Sequence, residues 1–206
     1  RIQIDHHQPS DEDTWDAQVI DMEAASTGTI VRRMAHELDV ELNLAAARGV
    51  FVTLVTDTGW FRYPNTSPEA LQIGSEMVGM GVDPAAAYRC IFQSYSGDYP
   101  MDLGRMLSDT RMEADGRLAV VSTTQNGELP DSNDILDVLR AVGSVEVAVF
   151  IRQRVGGKVK LSLRSKGDFD VHAVAARFGG GGHVRASGAT LDGSLEEATE
   201  RVVAAI

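Results

Sequence analysis

The sequence has little cysteine, no long apolar run and no excess of positive charge, and each shortage excludes a class of protein. Cys90 is the only cysteine among 206 residues, so an internal disulfide cannot form, and we expect a reducing, cytoplasmic location. The sequence has no run of about 18 apolar residues and no charged-then-apolar leader, so we expect neither a membrane span nor export.

The charge balance limits the nucleic acids that the protein can hold. A net charge of −11 argues against tight binding to long duplexes, where many neutralised phosphates supply the affinity. Any nucleic acid partner should therefore be short. Residues 152–166 nevertheless carry a basic cluster, which is either a phosphate-binding cluster or a solvated face. Its members are Arg152, Arg154, Lys158, Lys160, Arg164 and Lys166.

Asp5, His6 and His7 form an Asp-His-His triplet directly after the apolar start of the chain. A carboxylate and two imidazoles at the end of a short strand bring together the oxygen and nitrogen donors that a hard or borderline divalent cation prefers. A surface histidine pair that binds nothing is the alternative. The triplet therefore suggests metal-assisted hydrolysis, and a second motif that binds the substrate would strengthen this interpretation.

Four consecutive glycines, residues 179–182, precede His183 near the other end of the chain. Glycines lack a Cβ atom and adopt positive φ, so their backbone N–H groups can converge on an anion. A flexible linker is the alternative, but an amphipathic helical pattern precedes the run and a strand-like segment follows it. The pattern therefore favours a phosphate-binding loop, with His183 as a donor to the same anion.

Together, the Asp-His-His triplet and the Gly-Gly-Gly-His run that leads into Ala186-Ser187-Gly188 resemble the DHH/DHHA1 phosphoesterases. The resemblance covers the whole sequence and is strongest to the nanoRNase branch, which includes phosphatases of 3'-phosphoadenosine 5'-phosphate (pAp). It implies an α/β fold of two lobes. These are a parallel-sheet DHH lobe over residues 1–108, incomplete in this sequence, and a smaller α/β DHHA1 lobe over residues 113–206, joined by a linker helix over residues 100–112, with the boundary near Ser108.

The resemblance also implies roles in the first lobe. His6 and Asp57 would be ligands of a two-metal Mn²⁺ site, with Mg²⁺ or Co²⁺ as alternatives. His7 would face the scissile phosphate and Asp5 would orient a ring nitrogen. A turn-capping Asp57 before Gly59 is the alternative. Other aspartate and histidine ligands of the family lie upstream of the triplet and are missing from this sequence, so we expect residues 1–206 alone to bind metal poorly and to be inactive.

Substrate binding is assigned by the resemblance to the second lobe, where five residues would hold the non-scissile phosphate or the base. Trp60 and Phe61 could stack on a base, although two aromatics after a turn belong more often to a core. The five substrate-binding residues are Arg164, Ser165, Gly181, Gly182 and His183.

These features predict a phosphoric ester hydrolase that acts on short oligoribonucleotides, pAp, cyclic di-AMP or pApA by two-metal activation of water. Its partners would be short RNA or a small nucleotide, with no long duplex and no membrane. The sequence leaves open whether the protein forms a homodimer. A non-catalytic nucleotide- or RNA-binding module, related to DHHA1 domains of alanyl-tRNA synthetases, is the alternative. The triplet and Asp57 discriminate between the two, because a binding module has no need of metal ligands. Family II pyrophosphatases share the triplet, but the glycine run argues against them.

Hydrophobic periodicity and capping residues predict the secondary structure. Residues 43–56 fit either a strand or a buried helix, and we favour the helix. Around Gly156 and Gly157, basic residues at even positions and apolar residues at odd positions predict a three-residue hairpin loop, 155–157, that aligns Arg154 with Lys158. The other strands are predicted at 1–4, 17–22, 118–123 and 145–152, the other helices at 26–38, 68–80, 84–94 and 131–142, and a capping box at Ser194 opens the last helix.

Overall fold

The computed structural model describes residues 1–7, 15–124, 131–154 and 156–206. Within them the chain is mixed α/β, as predicted, and divides into two compact units, Arg1–Ser94 and Tyr95–Ile206. No helix in these described ranges is long and apolar enough to cross a bilayer.

The first unit consists of a short pair of parallel strands and four helices. The elements are β1 (Ile2–Asp5), β2 (Ala17–Ile20), α1 (Thr27–Glu37), α2 (Leu44–Asp57), α3 (Pro68–Gly79) and α4 (Pro84–Phe92). In the strand pair, Asp5 at the end of β1 lies opposite Ile20 at the end of β2. Both carboxyl ends therefore meet at one edge, which is where Asp5 and the following histidines lie.

Side-chain caps fix where the helices of the first unit begin. The side chain of Asn43 accepts the backbone N–H of Ala46 at 2.9 Å, and α2 is therefore a helix, as favoured over a strand. Its buried face contributes Val50 and Leu54 to the core of this unit. The other three helices begin in the same way, at the N-cap residues Ser26, Ser67 and Asp83.

The second unit is built around one six-stranded sheet. Its elements are α5 (Tyr99–Ser108), β3 (Arg111–Glu113), β4 (Leu118–Thr123), α6 (Ser132–Ala141), β5 (Val147–Gln153), β6 (Lys158–Ser165), α7 (Val171–Ala176), β7 (Gly181–His183), β8 (Ala186–Asp192) and α8 (Leu195–Val203). The strand order is β3-β4-β5-β6-β8-β7. Strands β4 and β5 are parallel, and the remaining neighbours are antiparallel.

Helices cover both faces of this sheet. Alternate residues of β5 point to opposite sides, so Val149 and Ile151 pack with α7 and α8 while Ala148 and Phe150 pack with α5 and α6. Helix α8 opens with the predicted capping box at Ser194, which is confirmed.

The linker helix is shorter than predicted. It ends at Ser108, because residues 111–113 pair as a strand with β4, where Met112 lies opposite Ala119. The division between the two units falls before this helix, at Ser94, rather than near Ser108. The helix belongs to the second unit because Met106 is buried in its core.

The predicted register of the β5–β6 hairpin is confirmed. The backbone N–H of Arg154 donates to the carbonyl of Lys158 at 2.7 Å, which aligns the two residues. Val155, the first residue of the predicted loop, lies outside the described residues. This register puts the apolar residues of the hairpin on the α7/α8 face, where they are buried. They are Ile151, Val159, Leu161 and Leu163.

Candidate functional site

The Asp-His-His triplet lies at the carboxyl end of β1, and His6 is almost completely buried, with 5% of its side chain exposed. The Nδ1 atom of His6 lies 3.3 Å from the carbonyl oxygen of Ala24. Because a carbonyl oxygen can only accept, Nδ1 carries the hydrogen, and in the neutral imidazole this leaves the lone pair on Nε2. This is the tautomer in which an imidazole binds a metal through Nε2.

Asp57, the last residue of α2, faces that lone pair. Its Oδ2 atom lies 3.4 Å from His6 Nε2. Metal–ligand bonds of about 2.1 Å place neighbouring ligand atoms of one cation about 3.0–3.4 Å apart. The nitrogen and oxygen donors of His6 and Asp57 therefore fit a single divalent cation, and the carboxylate of Asp57 points to His6 rather than to the turn at Gly59.

Electrostatics at Asp57 also suit a cation. Burial raises the pKa of its carboxyl group above the ordinary value, the charge of Asp5 adds to this, and His6 and His7 oppose it. The two histidines do not fully offset the burial, so the negative charge of the half-buried Asp57 carboxylate is only partly compensated. A bound divalent cation would supply that compensation and favour the ionised form.

Asp5 holds the triplet in place. Its Oδ1 atom accepts hydrogen bonds from the backbone N–H of His6 at 2.7 Å and of His7 at 3.2 Å, and it lies 2.8 Å from His7 Nδ1. Burial raises the pKa of Asp5, but these hydrogen bonds outweigh burial and hold the pKa below its ordinary value. The ionised carboxylate thus orients the exposed imidazole of His7, the contact expected of Asp5 from the sequence.

A left-handed turn follows Asp57 and fixes the end of α2. Gly59, Trp60 and Phe61 all have positive φ, between 56° and 62°. The turn is held by the Phe61 N–H, which donates to Thr58 Oγ1 at 3.1 Å. Trp60 and Phe61 pack against the core of the first unit, so the core interpretation of these aromatics is confirmed. The sequence carries no signal for positive φ at two aromatic residues, and their backbone strain is typical of functional sites.

The glycine run forms an ordered edge strand, and the flexible-linker alternative is wrong. Gly181–His183 is β7, paired with β8 so that Gly182 lies opposite Ser187 and His183 opposite Ala186. A Cβ atom on Gly182, where φ is 133°, would lie 2.5 Å from the Ala186 carbonyl oxygen. Gly180 and Gly182 must be glycine because their backbone packs directly on β8.

A cavity of about 650 Å³ lies in the second unit beside this edge. Its polar lining includes Arg164, one of the predicted substrate-binding residues, and its backbone lining includes Gly181, another. Gly182 and His183 lie further along the same strand, where His183 is exposed and its carbonyl oxygen accepts the hydroxyl of Ser187 at 2.7 Å. Further polar groups of the lining are Asp131, Ser132, Asn133, Lys160, Ser162, Ser187 and Thr190.

Ser165 lies on the other face of the sheet from Arg164, because side chains alternate along β6. Its side chain is buried, and its hydroxyl donates to the carbonyl oxygen of Phe169 at 2.7 Å. That contact fixes the loop after β6 and gives Ser165 a structural role.

The contact of Asn133 with Arg164 was not expected from the sequence. The Oδ1 atom of Asn133 accepts a hydrogen bond from Arg164 Nη2 at 2.6 Å. Its only sequence signal is its place at the start of a predicted helix.

The fold of the second unit, a six-stranded α/β sheet with a polyglycine edge strand beside a polar cavity, defines a class of domain with known members. The DHHA1 domain family matches residues 103–206, half of the chain, and the chain belongs to this family. The resemblance drawn from the sequence is thereby confirmed.

Individual relatives extend the similarity to the first unit. The bifunctional oligoribonuclease and PAP phosphatase of Thermus thermophilus is 37% identical over 208 residues, which are 100% of this chain and 63% of the relative. The cyclic-di-AMP phosphodiesterase of Geobacillus thermodenitrificans is 26% identical over 100% of this chain and 32% of its own length. The crystal structure of an exopolyphosphatase-related protein from Bacteroides fragilis matches with a TM-score of 0.85 and 29% identity, over 99% of this chain and 62% of that one. The chain thus spans less than two thirds of the length of each.

Proposed function

We propose that the protein is a metal-dependent phosphoesterase that hydrolyses short oligoribonucleotides, pAp, or cyclic di-AMP and pApA. The observation that carries the proposal is the 3.4 Å approach of His6 Nε2 to Asp57 Oδ2, with the Nδ1 atom of His6 committed to a backbone carbonyl. The names of the relatives, an oligoribonuclease and PAP phosphatase and a cyclic-di-AMP phosphodiesterase, support the same chemistry.

The donors present suit Mn²⁺, with Mg²⁺ or Co²⁺ as alternatives, since one imidazole nitrogen and one carboxylate oxygen are available. A divalent metal held there would supply a hydroxide-like nucleophile by lowering the pKa of water to about 7. Among the described residues, His6 and Asp57 offer this cation two ligands, and two ligands hold a cation weakly. We therefore propose that residues 1–206 alone bind Mn²⁺ poorly and that the second metal of a two-metal site needs further ligands.

The protein's own side chains would do the rest. Asp5 pairs with Nδ1 of His7 and so orients the imidazole, whose Nε2–H would donate a hydrogen bond to the phosphate and stabilise the charge that develops on it. Arg164 and the backbone of Gly181 would hold a second phosphate in the cavity of the second unit, with Gly182 and His183 as further donors along the strand. Ser165 is omitted, because its hydroxyl is used within the fold.

The remaining features of the proposal concern the whole protein. The strand pair β1–β2 would be part of a parallel-sheet DHH lobe that ends before α5, and the second unit, Tyr95–Ile206, would contain the substrate-binding lobe. The net charge of −11 restricts the substrate to short chains. A cytoplasmic location is supported by the single thiol, the exposed and unpaired Cys90.

Turnover by the full-length protein tests the proposal. After treatment with a chelator, the protein should release AMP from pApA and phosphate from pAp only when Mn²⁺ is restored. Asp57→Asn should lower kcat by at least about 100-fold, because it removes a charged ligand. Glu41→Gln, which changes an exposed carboxylate of the same unit, should leave kcat unchanged.

The outcomes separate the proposal from a non-catalytic binding module. A module would bind pAp without hydrolysing it in the presence of Mn²⁺, and Asp57→Asn would leave that binding unchanged. Metal-independent turnover would contradict the proposed use of His6 and Asp57.

A further inference from the structure

The guanidinium of Arg164 is fixed by hydrogen bonds at two points. Its Nη1 atom donates to the carbonyl oxygen of Leu163 at 2.9 Å, and its Nη2 atom donates to Asn133 Oδ1 at 2.6 Å. Across the sheet, Arg164 lies opposite Ala148 on β5 and Ala186 on β8. The small neighbours leave room for the long side chain to reach α6.

Asn133 is itself held at the start of α6. Its backbone N–H donates to the side chain of the N-cap residue Asp131 at 2.7 Å. The capping contact sets the position of the first helical turn, and with it the position of the Asn133 amide. Asp131, Asn133 and Arg164 all line the 650 Å³ cavity. The start of α6 and strand β6 thus contribute one connected polar wall.

We infer that Asn133 is a positioning residue that aims Arg164 into the cavity through a contact that carries no charge of its own. The inference rests on the proposed function, in which Arg164 holds a phosphate of the nucleotide. An arginine has five N–H donors and binds a phosphate best when its planar fork is fixed in advance, because less rotamer entropy is then lost on binding.

The neutral amide is the essential feature of the contact. A carboxylate at position 133 would hold the guanidinium at least as firmly, but it would form an ion pair and compete with a phosphate for the same cation. An amide oxygen accepts one N–H and adds no negative charge beside the guanidinium. Two properties of Arg164, its position and the charge beside it, can therefore be changed separately at residue 133.

Binding of pAp to the full-length protein tests the inference, because a binding measurement does not require turnover. Titrations of pAp at several KCl concentrations give both the Kd and the slope of log K against log salt, which becomes shallower as the net positive charge facing the phosphates falls, because salt screens that attraction. Asn133→Ala should raise Kd by about 3–10-fold with an unchanged slope, because one charge-assisted hydrogen bond that positions the cation is lost.

Asn133→Asp should raise Kd further and make the slope shallower, because the position is kept and a negative charge is added beside the cation. An aspartate in the first turn of α6 also favours the helix, so this variant should fold. In an Arg164→Gln background, Asn133→Ala should have no further effect, because Asn133 acts through Arg164. Asp102→Ala, which removes the partner of Arg105 in the same unit, is the matched control and should behave as wild type.

The following results would contradict the inference. Equal slopes for Asn133→Ala and Asn133→Asp, or an effect of Asn133→Ala that persists without Arg164, would overturn it. If Arg164→Gln weakens pAp binding and both Asn133 variants bind like wild type, the inference falls while the proposed phosphate site stands. If the wild type binds no pAp at all, the proposed function falls and the inference falls with it.

Discussion

Gly180 and Gly181 are adjacent glycines of the same run, yet the structure predicts opposite results for their substitution by alanine. A Cβ atom on Gly180 would lie 2.1 Å from the carbonyl oxygen of Gly188 and 2.8 Å from Cα of Ala189, both backbone atoms of β8. A Cβ atom on Gly181 would have no heavy atom within 4 Å. The variant Gly180→Ala therefore tests packing, and the variant Gly181→Ala tests ligand binding without disturbing the packing.

The magnitude follows from the contact distance. An ordinary C···O contact is about 3.3 Å, so Gly180→Ala requires a displacement of about 1.2 Å. Strand β8 cannot move away, because β6 pairs with its other side, where Gly188 lies opposite Ser162. Overpacking of this kind costs about 1–3 kcal/mol, and we expect the upper end, about 3 kcal/mol, because backbone must move. Gly181→Ala should be neutral or stabilise by up to about 1 kcal/mol through the unfolded chain.

Calorimetry gives the Tm of each variant, and hydrogen exchange gives the local stability of the segments β6 and β8. For a unit of about 100 residues, 3 kcal/mol corresponds to a fall in Tm of about 12–24 °C for Gly180→Ala, with faster exchange in β8. Gly181→Ala should not lower the Tm but should weaken pAp binding, since Gly181 lines the cavity and the added methyl group takes up space there. Equal stability of Gly180→Ala and wild type would refute the packing argument, and wild-type affinity in Gly181→Ala would refute the expectation that the ligand lies against Gly181.

Three further predictions concern other parts of the chain. Burial beside Asp134 raises the pKa of Tyr99 to about 12 and also raises that of Tyr95. The folded state therefore holds these protons more tightly, so stability should be full below about pH 10 and decline as the pH rises through about 12, which absorbance at 295 nm and urea denaturation can follow together. Ser194→Ala removes the capping box of α8 and should cost about 1 kcal/mol in urea denaturation, whereas Ser194→Thr should cost little. Gly59→Ala forces alanine to a φ of 56° against the ring of Tyr63, and it should lower the free energy of unfolding by about 1–2 kcal/mol; an unchanged value would mean that the turn relaxes freely.

Local rules predicted much of the fold because each element carries its own signal. Asn43 and Ser194 mark helix starts, and the alternation of basic and apolar residues around Gly156 and Gly157 specifies the hairpin register. These elements bury one regular face, so period and capping suffice. The linker helix was predicted too long because nothing in residues 109–112 signals that they pair with β4.

The features that could not be predicted depend on distant partners. Strand β7 consists mostly of glycine, which has no strand propensity, and it exists because β8 lies beside it. In the same way, Asn133 is significant only because Arg164, 31 residues away, reaches it. The triplet pointed to a metal from residue chemistry alone, but only the fold brings Asp57 to His6.

The central claim is that His6 and Asp57 share one divalent cation, and anomalous scattering at the manganese edge from crystals of the full-length protein grown with MnCl₂ tests it most directly. The account predicts a peak about 2.1–2.3 Å from both His6 Nε2 and Asp57 Oδ2, and its loss in Asp57→Asn crystals. A manganese peak elsewhere, with the two side chains still in contact and no metal between them, would contradict it.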